Sequence, residues 1–268
     1  MALRPKIATV VTRHVYDRQA ETYDTTRGGS PSVLGPLEVA LEGALGRELL
    51  DIGGGTGNYA LALRARGWDP LVVDLNHAML ARAEAKGLRT LQADAAALPL
   101  PSDSADAVML VSMLHHVPDW RAALSEARRV LRPGGRLALM GWTREHMERV
   151  TWLRDYFPGM NDWLALEHPT LAELEAELPG ARILRLEFED VDDATLSALQ
   201  RRPHLLLDPE WRRQTSYFEK LELRFPDELD AGLEKLRADL DAGENPDARV
   251  ATARAKWGDA CLLAWNKP

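Results

Sequence analysis

Residues 49–57 read Leu-Leu-Asp-Ile-Gly-Gly-Gly-Thr-Gly, so an apolar run meets Asp51 and glycine then stands at 53, 55 and 57. Glycine in such a turn takes positive φ without strain and lets the backbone come close to a ligand. About 20 residues further on, Leu71-Val72-Val73-Asp74 closes a second apolar run with a carboxylate. A carboxylate offers only acceptors, and the two hydroxyls of a ribose offer donors. Glycine backbone with an acid beside it describes a pocket for an adenosine-bearing ligand at the ends of two strands.

The spacing separates the adenosine ligands from one another. A dinucleotide turn needs G-x-G-x-x-G, whose third glycine lets the helix pack on the strand while the helix N-terminus faces a pyrophosphate. Here that third position is Asn58 counted from Gly53 and Gly55, or Ala60 counted from Gly55 and Gly57. Asp51, just ahead of the glycines, would oppose a pyrophosphate and suit a cationic ammonium or sulfonium. No G-x-x-x-x-G-K-[ST] occurs, which excludes a P-loop.

Elements that could hold these groups in place follow from the periodicity. Apolar runs predict strands at 48–52, 70–74, 90–93, 107–112 and 136–141, and helical spacing predicts helices at 59–66, 77–86 and 120–131. Such alternation implies parallel strands with right-handed crossovers, an α/β, Rossmann-like doubly wound sheet. In that architecture ligands sit beyond the carboxyl ends of the strands. Gly53, Asp74, Asp94 and His116 each follow a predicted strand end, so the four converge on one rim.

At this point the chain resembles the class I S-adenosylmethionine (SAM)-dependent methyltransferases. D-x-G-x-G-x-G at 51–57 is similar to their first motif, and Asp74 to their acidic ribose clamp. Gln92-Ala93-Asp94-Ala95 resembles their adenine-binding segment. Residues 105–117, with Ser112-Met113-Leu114-His115-His116, resemble the fourth strand and its cofactor-lining end. Arg129 to Gly135 resembles the turn before the fifth strand. Tyr16-Asp17-Arg18 through Tyr23-Asp24 is similar to the N-terminal cap of the branch that includes the quinone-biosynthesis C-methyltransferases. The likeness runs strongly from about 14 to 142.

The resemblance implies SAM as cofactor and S-adenosylhomocysteine as product. Gly53, Gly55 and Gly57 would admit the methionine half. Asp51 would hold the ammonium through a water or by ordering the backbone, or act as a turn residue. Asp74 would take both ribose hydroxyls. Asp94 would accept from the adenine amine, with Ala95 leaving room for the ring; a helix cap is the alternative at Asp94. Leu75 and Met79 could sandwich the adenine, and Met113 would line the cofactor. Tyr16 and Tyr23 could present aromatic faces to the sulfonium, and Arg27 could reach its carboxylate; a helix packed on the sheet edge is the bland alternative.

Composition bounds the rest. The 268 residues carry 46% hydrophobic and 28% charged residues, an ordinary globular balance able to bury a large core. The net charge of −8 disfavours a nucleic-acid partner. Cys261 is the single cysteine, so an intrachain disulfide is impossible and a cysteine-rich zinc site is absent. No apolar run reaches membrane-spanning length, and the short apolar stretch at 7–11 is no signal-peptide core, so a cytoplasmic location is expected.

Beyond Trp142 the pattern changes. Thr170-Leu171-Ala172-Glu173 has capping-box form, and Pro179-Gly180 ends that helix. Strands are expected at 182–191 and 258–265, and the resemblance implies that they complete a mostly parallel seven-stranded sheet with an antiparallel last strand. Three parts are expected: an N-terminal helical cap at 1–46, a core at 47–192 and 257–268, and a helical insertion at 193–256 that could act as a lid or only extend the core.

His115 and His116 do not suggest a metal, because neighbours on a strand point to opposite faces and no third ligand lies near. His116 could be a general base, or line the cofactor without proton transfer. Trp142, Tyr156, Phe157, His204, Tyr217 and Phe218 are candidates to line an acceptor pocket. The expected function is methyl transfer to a small, apolar or aromatic metabolite at oxygen, nitrogen or carbon. The alternatives are a catalyst that uses the same pocket without moving the methyl group, and a nucleoside-binding module.

Overall fold

The computed structural model describes residue 24, residues 30–188 and residues 194–268. In chain order the elements are α1 (Pro31–Leu41), β1 (Glu48–Ile52), α2 (Asn58–Arg64), β2 (Asp69–Asp74), α3 (His77–Ala85), β3 (Arg89–Gln92), β4 (Ala105–Val111), α4 (Trp120–Val130) and β5 (Leu131–Gly141). There follow α5 (Pro158–Ala165), α6 (Leu171–Glu177), β6 (Arg182–Leu186), α7 (Leu196–Gln200), α8 (Pro209–Arg212), α9 (Ser216–Arg224), α10 (Pro226–Asp241), α11 (Pro246–Arg249), α12 (Ala251–Trp257) and β7 (Ala260–Asn266).

The strands form one seven-stranded sheet in the order β3-β2-β1-β4-β5-β7-β6. β1 to β5 pair in parallel, and β7 enters antiparallel between β5 and β6. The central strands are buried on both faces, which is why they read as unbroken apolar runs. Alternate residues feed opposite cores: Leu50, Val73, Val108 and Leu110 enter one, Leu49, Val72, Ala107 and Met109 the other.

Local chemistry sets the helix ends. Asn76 caps α3 by accepting from the Met79 amide at 3.0 Å, and Asp119 caps α4 through the Ala122 amide at 3.0 Å. The expected capping box opens α6, with Thr170 and Glu173 exchanging bonds at 2.9 and 3.1 Å. In α4, Ala123, Leu124, Ala127 and Val130 make the apolar stripe that lies on the sheet.

A helical layer stands beside the sheet. It is built from two distant segments. Trp152, Tyr156, Phe157 and Leu164, which follow β5, share a third hydrophobic cluster with Leu199, Phe218, Leu221 and Leu236 of the insertion. The Trp152 indole donates to the Gln200 carbonyl at 3.0 Å, tying the two segments.

One buried carboxylate fixes the insertion to the sheet. Asp259, 5% exposed, accepts from the Phe188 amide at 2.8 Å and the Arg201 guanidinium at 2.6 Å, and pairs with Arg254 Nε at 3.0 Å. Residues from both ends of the insertion thus meet where β6 and β7 adjoin. Among the described residues, no helix is long and apolar enough to cross a membrane.

Candidate active site

A cavity of about 420 Å³ opens along the carboxyl rim of the sheet. Its floor is the rim itself: Ile52 at the end of β1 and Gly53 after it, Asp74 at the end of β2, Asp94 after β3, Ser112 after β4 and Trp142 after β5. The opposite wall comes from the helical layer, through Leu164, His168, Thr195, Tyr217 and Lys220.

Asp74 organises the floor. One carboxylate oxygen accepts the Gly55 amide at 2.9 Å, and the other accepts the Asn76 amide at 2.8 Å. Each oxygen keeps a further lone pair for a hydroxyl donor. Burial pushes the Asp74 carboxyl above its ordinary value, against the pull of these backbone donors. Gly55 has φ +56°, and a Cβ there would meet no atom within 4 Å, so the turn leaves a space that any side chain would fill. Gly53, at φ +69°, lies against Met113, whose side chain would be 2.8 Å from an added Cβ.

Two expected cofactor residues lie elsewhere. Gly57 does not line the cavity; at φ +74° it starts α2, and an added Cβ would run into Leu88 and approach Val72 and Ala83. Its role is to let helix and strand pack. Asp51 is 2% exposed and lies under Gly54, where a side chain would collide with its carboxylate. Burial first, and the charge of Asp74 second, push its carboxyl up to about 8. Any influence of Asp51 on a ligand therefore passes through the glycine turn.

Leu75, Met79, Asp94, Ala95, Met113 and His116 all line the cavity. Leu75 is 46% exposed, whereas Met79 is also packed in the core. Asp94 accepts the Ala96 amide at 2.9 Å, so it caps its own turn while its second oxygen stays available. Ser112 has φ +52°, a conformation rare outside glycine, as the chain leaves β4 into the rim. Tyr16, Tyr23 and Arg27 lie outside the described residues.

The histidine geometry departs from the strand argument. The strand ends at Val111, and Leu114–His116 forms a 3₁₀ turn, so His115 and His116 both face the cavity. Their ring centroids are 3.8 Å apart, and His115 stacks on His168 at 4.7 Å with planes 10° apart. The His168 Nδ1–H donates to the Leu164 carbonyl at 2.9 Å. Burial lowers His168 to about 4, so the ring is neutral at pH 7.

Of the aromatic acceptor candidates, Trp142 and Tyr217 line the cavity. Tyr156, Phe157 and Phe218 are buried in the third cluster, and His204 is exposed. His168 and Lys220 were not visible as site residues in the sequence. Lys220 stands one helical step from Tyr217, at i+3, and the Thr215 cap that starts α9 turns both toward the cavity.

Asp24 joins the N-terminal segment to the glycine turn. Its carboxylate accepts the Thr56 hydroxyl and the Lys86 ammonium, each at 2.6 Å, and Lys86 also donates to the Thr56 carbonyl at 2.8 Å and to Asn58 at 2.6 Å. Burial works against ionisation of Asp24, but the Lys86 and Thr56 bonds outweigh it and hold the carboxyl below its ordinary value.

A doubly wound sheet with this strand order, a D-x-G-x-G-x-G turn and an acid closing β2 on the same cavity agree with what the resemblance to class I SAM-dependent methyltransferases implies. Residues 50–139 match the family model described as a methyltransferase domain. The chain is 44% identical over 112 residues to a demethylmenaquinone methyltransferase of Thermus thermophilus, covering 39% of this chain and 50% of the relative. It is 40% identical over 107 residues to a ubiquinone/menaquinone biosynthesis C-methyltransferase of Acidiphilium cryptum, covering 37% and 43%. The chain thus spans about half the length of the curated relatives it matches. A crystal structure from Anabaena variabilis, of a protein named for methyl transfer in an antibiotic biosynthesis pathway, superposes with a TM-score of 0.71 at 26% identity. That match covers 89% of this chain and 98% of the other.

Proposed function

We propose that this chain transfers the methyl group of SAM to a small acceptor with apolar or aromatic character, seated between the sheet rim and the helical wall. One observation carries the proposal: Asp74 accepts the Gly55 amide and so locks an open glycine turn and a ribose-binding acid onto the same cavity. Asp74 would take the ribose hydroxyls, Asp94 the adenine amine, and Leu75 one face of the ring. Gly53 and Gly55 would run beneath the methionine half, and Met113 would lie beside the sulfur.

When bound, SAM supplies a methyl group already activated on a sulfonium. The chain's own part is to align the acceptor in line with it and keep water out. Leu164, Trp142, Tyr217 and Phe188 form the apolar side of that space. Where the acceptor must lose a proton, His116 is positioned to take it. His168 is less suited, because burial has made it a weak base.

The relatives named for quinone methylation support methyl transfer, but the acceptor wall from Trp142 to Lys220 lies beyond residues 50–139, so it is read from this chain alone. Incubating the protein with methyl-tritiated SAM and a small-molecule extract should move label into an organic-soluble product. Label that stays on SAM across all extract fractions would refute methyl transfer and leave the pocket as a binding or non-transferring site.

A further inference from the structure

Among the described residues, Lys220 is the one Lys or Arg on the helical wall of the cavity, and its surroundings do not account for its charge. It is only 7% exposed. Among the described residues it makes no hydrogen bond and no ion pair; its Nζ lies 5.9 Å from the centroid of the Trp163 ring. The same ring carries Arg224 at 4.7 Å, and Glu167 acts on Lys220 only at longer range. A largely buried lysine with no anionic partner is costly, and such groups persist where something else completes them.

A second group points to what that is. Tyr217 is 2% exposed and lines the same cavity, and its hydroxyl has no hydrogen-bond partner among the described residues. Buried hydroxyls are nearly always bonded, so an orphan that faces a cavity reads as a ligand contact. On α9 the two side chains stand at i and i+3, on one face of the helix. They present an ammonium donor and a phenolic donor toward one space, with His168 held neutral beside them.

We infer that the methyl acceptor carries an anionic oxygen, a carboxylate or a phenolate, which docks between the Lys220 ammonium and the Tyr217 hydroxyl. This deepens the proposed function and rests on it. A charge-assisted bond and a neutral donor on one oxygen hold it in a fixed direction, and the apolar walls then receive the rest of the molecule. Burial lowers Lys220 to about 8, which leaves it mostly protonated at pH 7 and able to take the anion.

The test uses the protein saturated with S-adenosylhomocysteine and four probes: 2-naphthoate and 4-nitrophenolate as anions, 2-naphthamide and 4-nitroanisole as neutral partners. At pH 7 at least one anion should bind at least tenfold tighter than its neutral partner. Which anion does so distinguishes a carboxylate from a phenolate acceptor. Lys220→Met should lose about tenfold or more of that anion affinity, and Tyr217→Phe about threefold to tenfold. Neither substitution should change the affinity for the neutral probes or for S-adenosylhomocysteine, which also shows that the variants fold. Equal binding of anions and neutrals, or anion binding unchanged in Lys220→Met, overturns the inference. If the wild-type protein binds no S-adenosylhomocysteine, the cofactor assignment beneath it falls as well, and the titration without probes shows this separately.

Discussion

The two walls of the cavity are made in different ways. The sheet rim is built largely from backbone: strand ends, a glycine turn, and a carboxylate that takes two main-chain amides. The helical wall is built from side chains delivered by segments more than fifty residues apart, among them His168 and Lys220. Backbone geometry constrains which residue types fit, so the rim leaves a short pattern in the sequence. Side chains on packed helices obey only the general rule of burial, so the opposite wall leaves almost none. The contrast accords with a fixed cofactor and a variable acceptor on one scaffold.

The largest expected effect falls on the rim. Asp74→Ala removes two charge-assisted acceptors and should weaken S-adenosylhomocysteine binding by about 3–4 kcal/mol, on the order of 10²–10³-fold, by calorimetry. Lys220→Met should leave that affinity intact. If both substitutions weaken the cofactor equally, the division between the walls is wrong.

Asp51 belongs to the rim but acts on stability. Its carboxyl is raised in the folded state, so the native protein binds an extra proton between about pH 4 and 8, and stability falls as pH rises through that window. His146 and His168, both lowered to about 4 by burial, push the other way, but only up to about pH 6.5. From pH 6.5 to 8 the wild-type protein should therefore lose about 2 kcal/mol of unfolding free energy that Asp51→Asn retains. Urea denaturation at the two pH values checks this; parallel pH dependence in both proteins would contradict it.

Within the turn, Gly55 and Gly57 should separate. Both have positive φ, so alanine at either position costs about 1–2 kcal/mol of stability. Gly57→Ala also collides with Leu88 and should have the lower Tm, with cofactor affinity kept within about threefold. Gly55→Ala projects into the cavity and should weaken S-adenosylhomocysteine by about tenfold. The smallest effect is expected at Leu75. Leu75→Ala should leave Tm unchanged and reduce cofactor affinity by about 1 kcal/mol, through lost apolar cover over the adenine.

Legibility follows the same division. The parallel strands and the first strand's limits could be read from successive apolar runs, because buried parallel strands allow little else, whereas the antiparallel last strand followed from the family resemblance. The strand-end positions of Asp74, Asp94 and Met113 on the rim were legible for the same reason. Three features were not. The place of Gly57 against Leu88 hid behind the glycine pattern, where a packed glycine and one open to the cavity look alike. The 3₁₀ turn that brings His115 and His116 to one side has no periodicity of its own over three residues. The pairing of Trp152, Tyr156 and Phe157 with the insertion is long-range packing, and nothing local in either segment announces it.

The central claim is that the strand tips hold an adenosylated sulfur cation with its methyl group directed at the helical wall. A crystal structure of the protein with S-adenosylhomocysteine tests it most directly. The account requires both ribose hydroxyls on Asp74, the adenine between Leu75 and Ala95, and the sulfur beside Met113 with open space toward Tyr217 and Lys220. A ligand seated away from Asp74, or one whose sulfur faces solvent with Tyr217 and Lys220 behind the adenine, would contradict it.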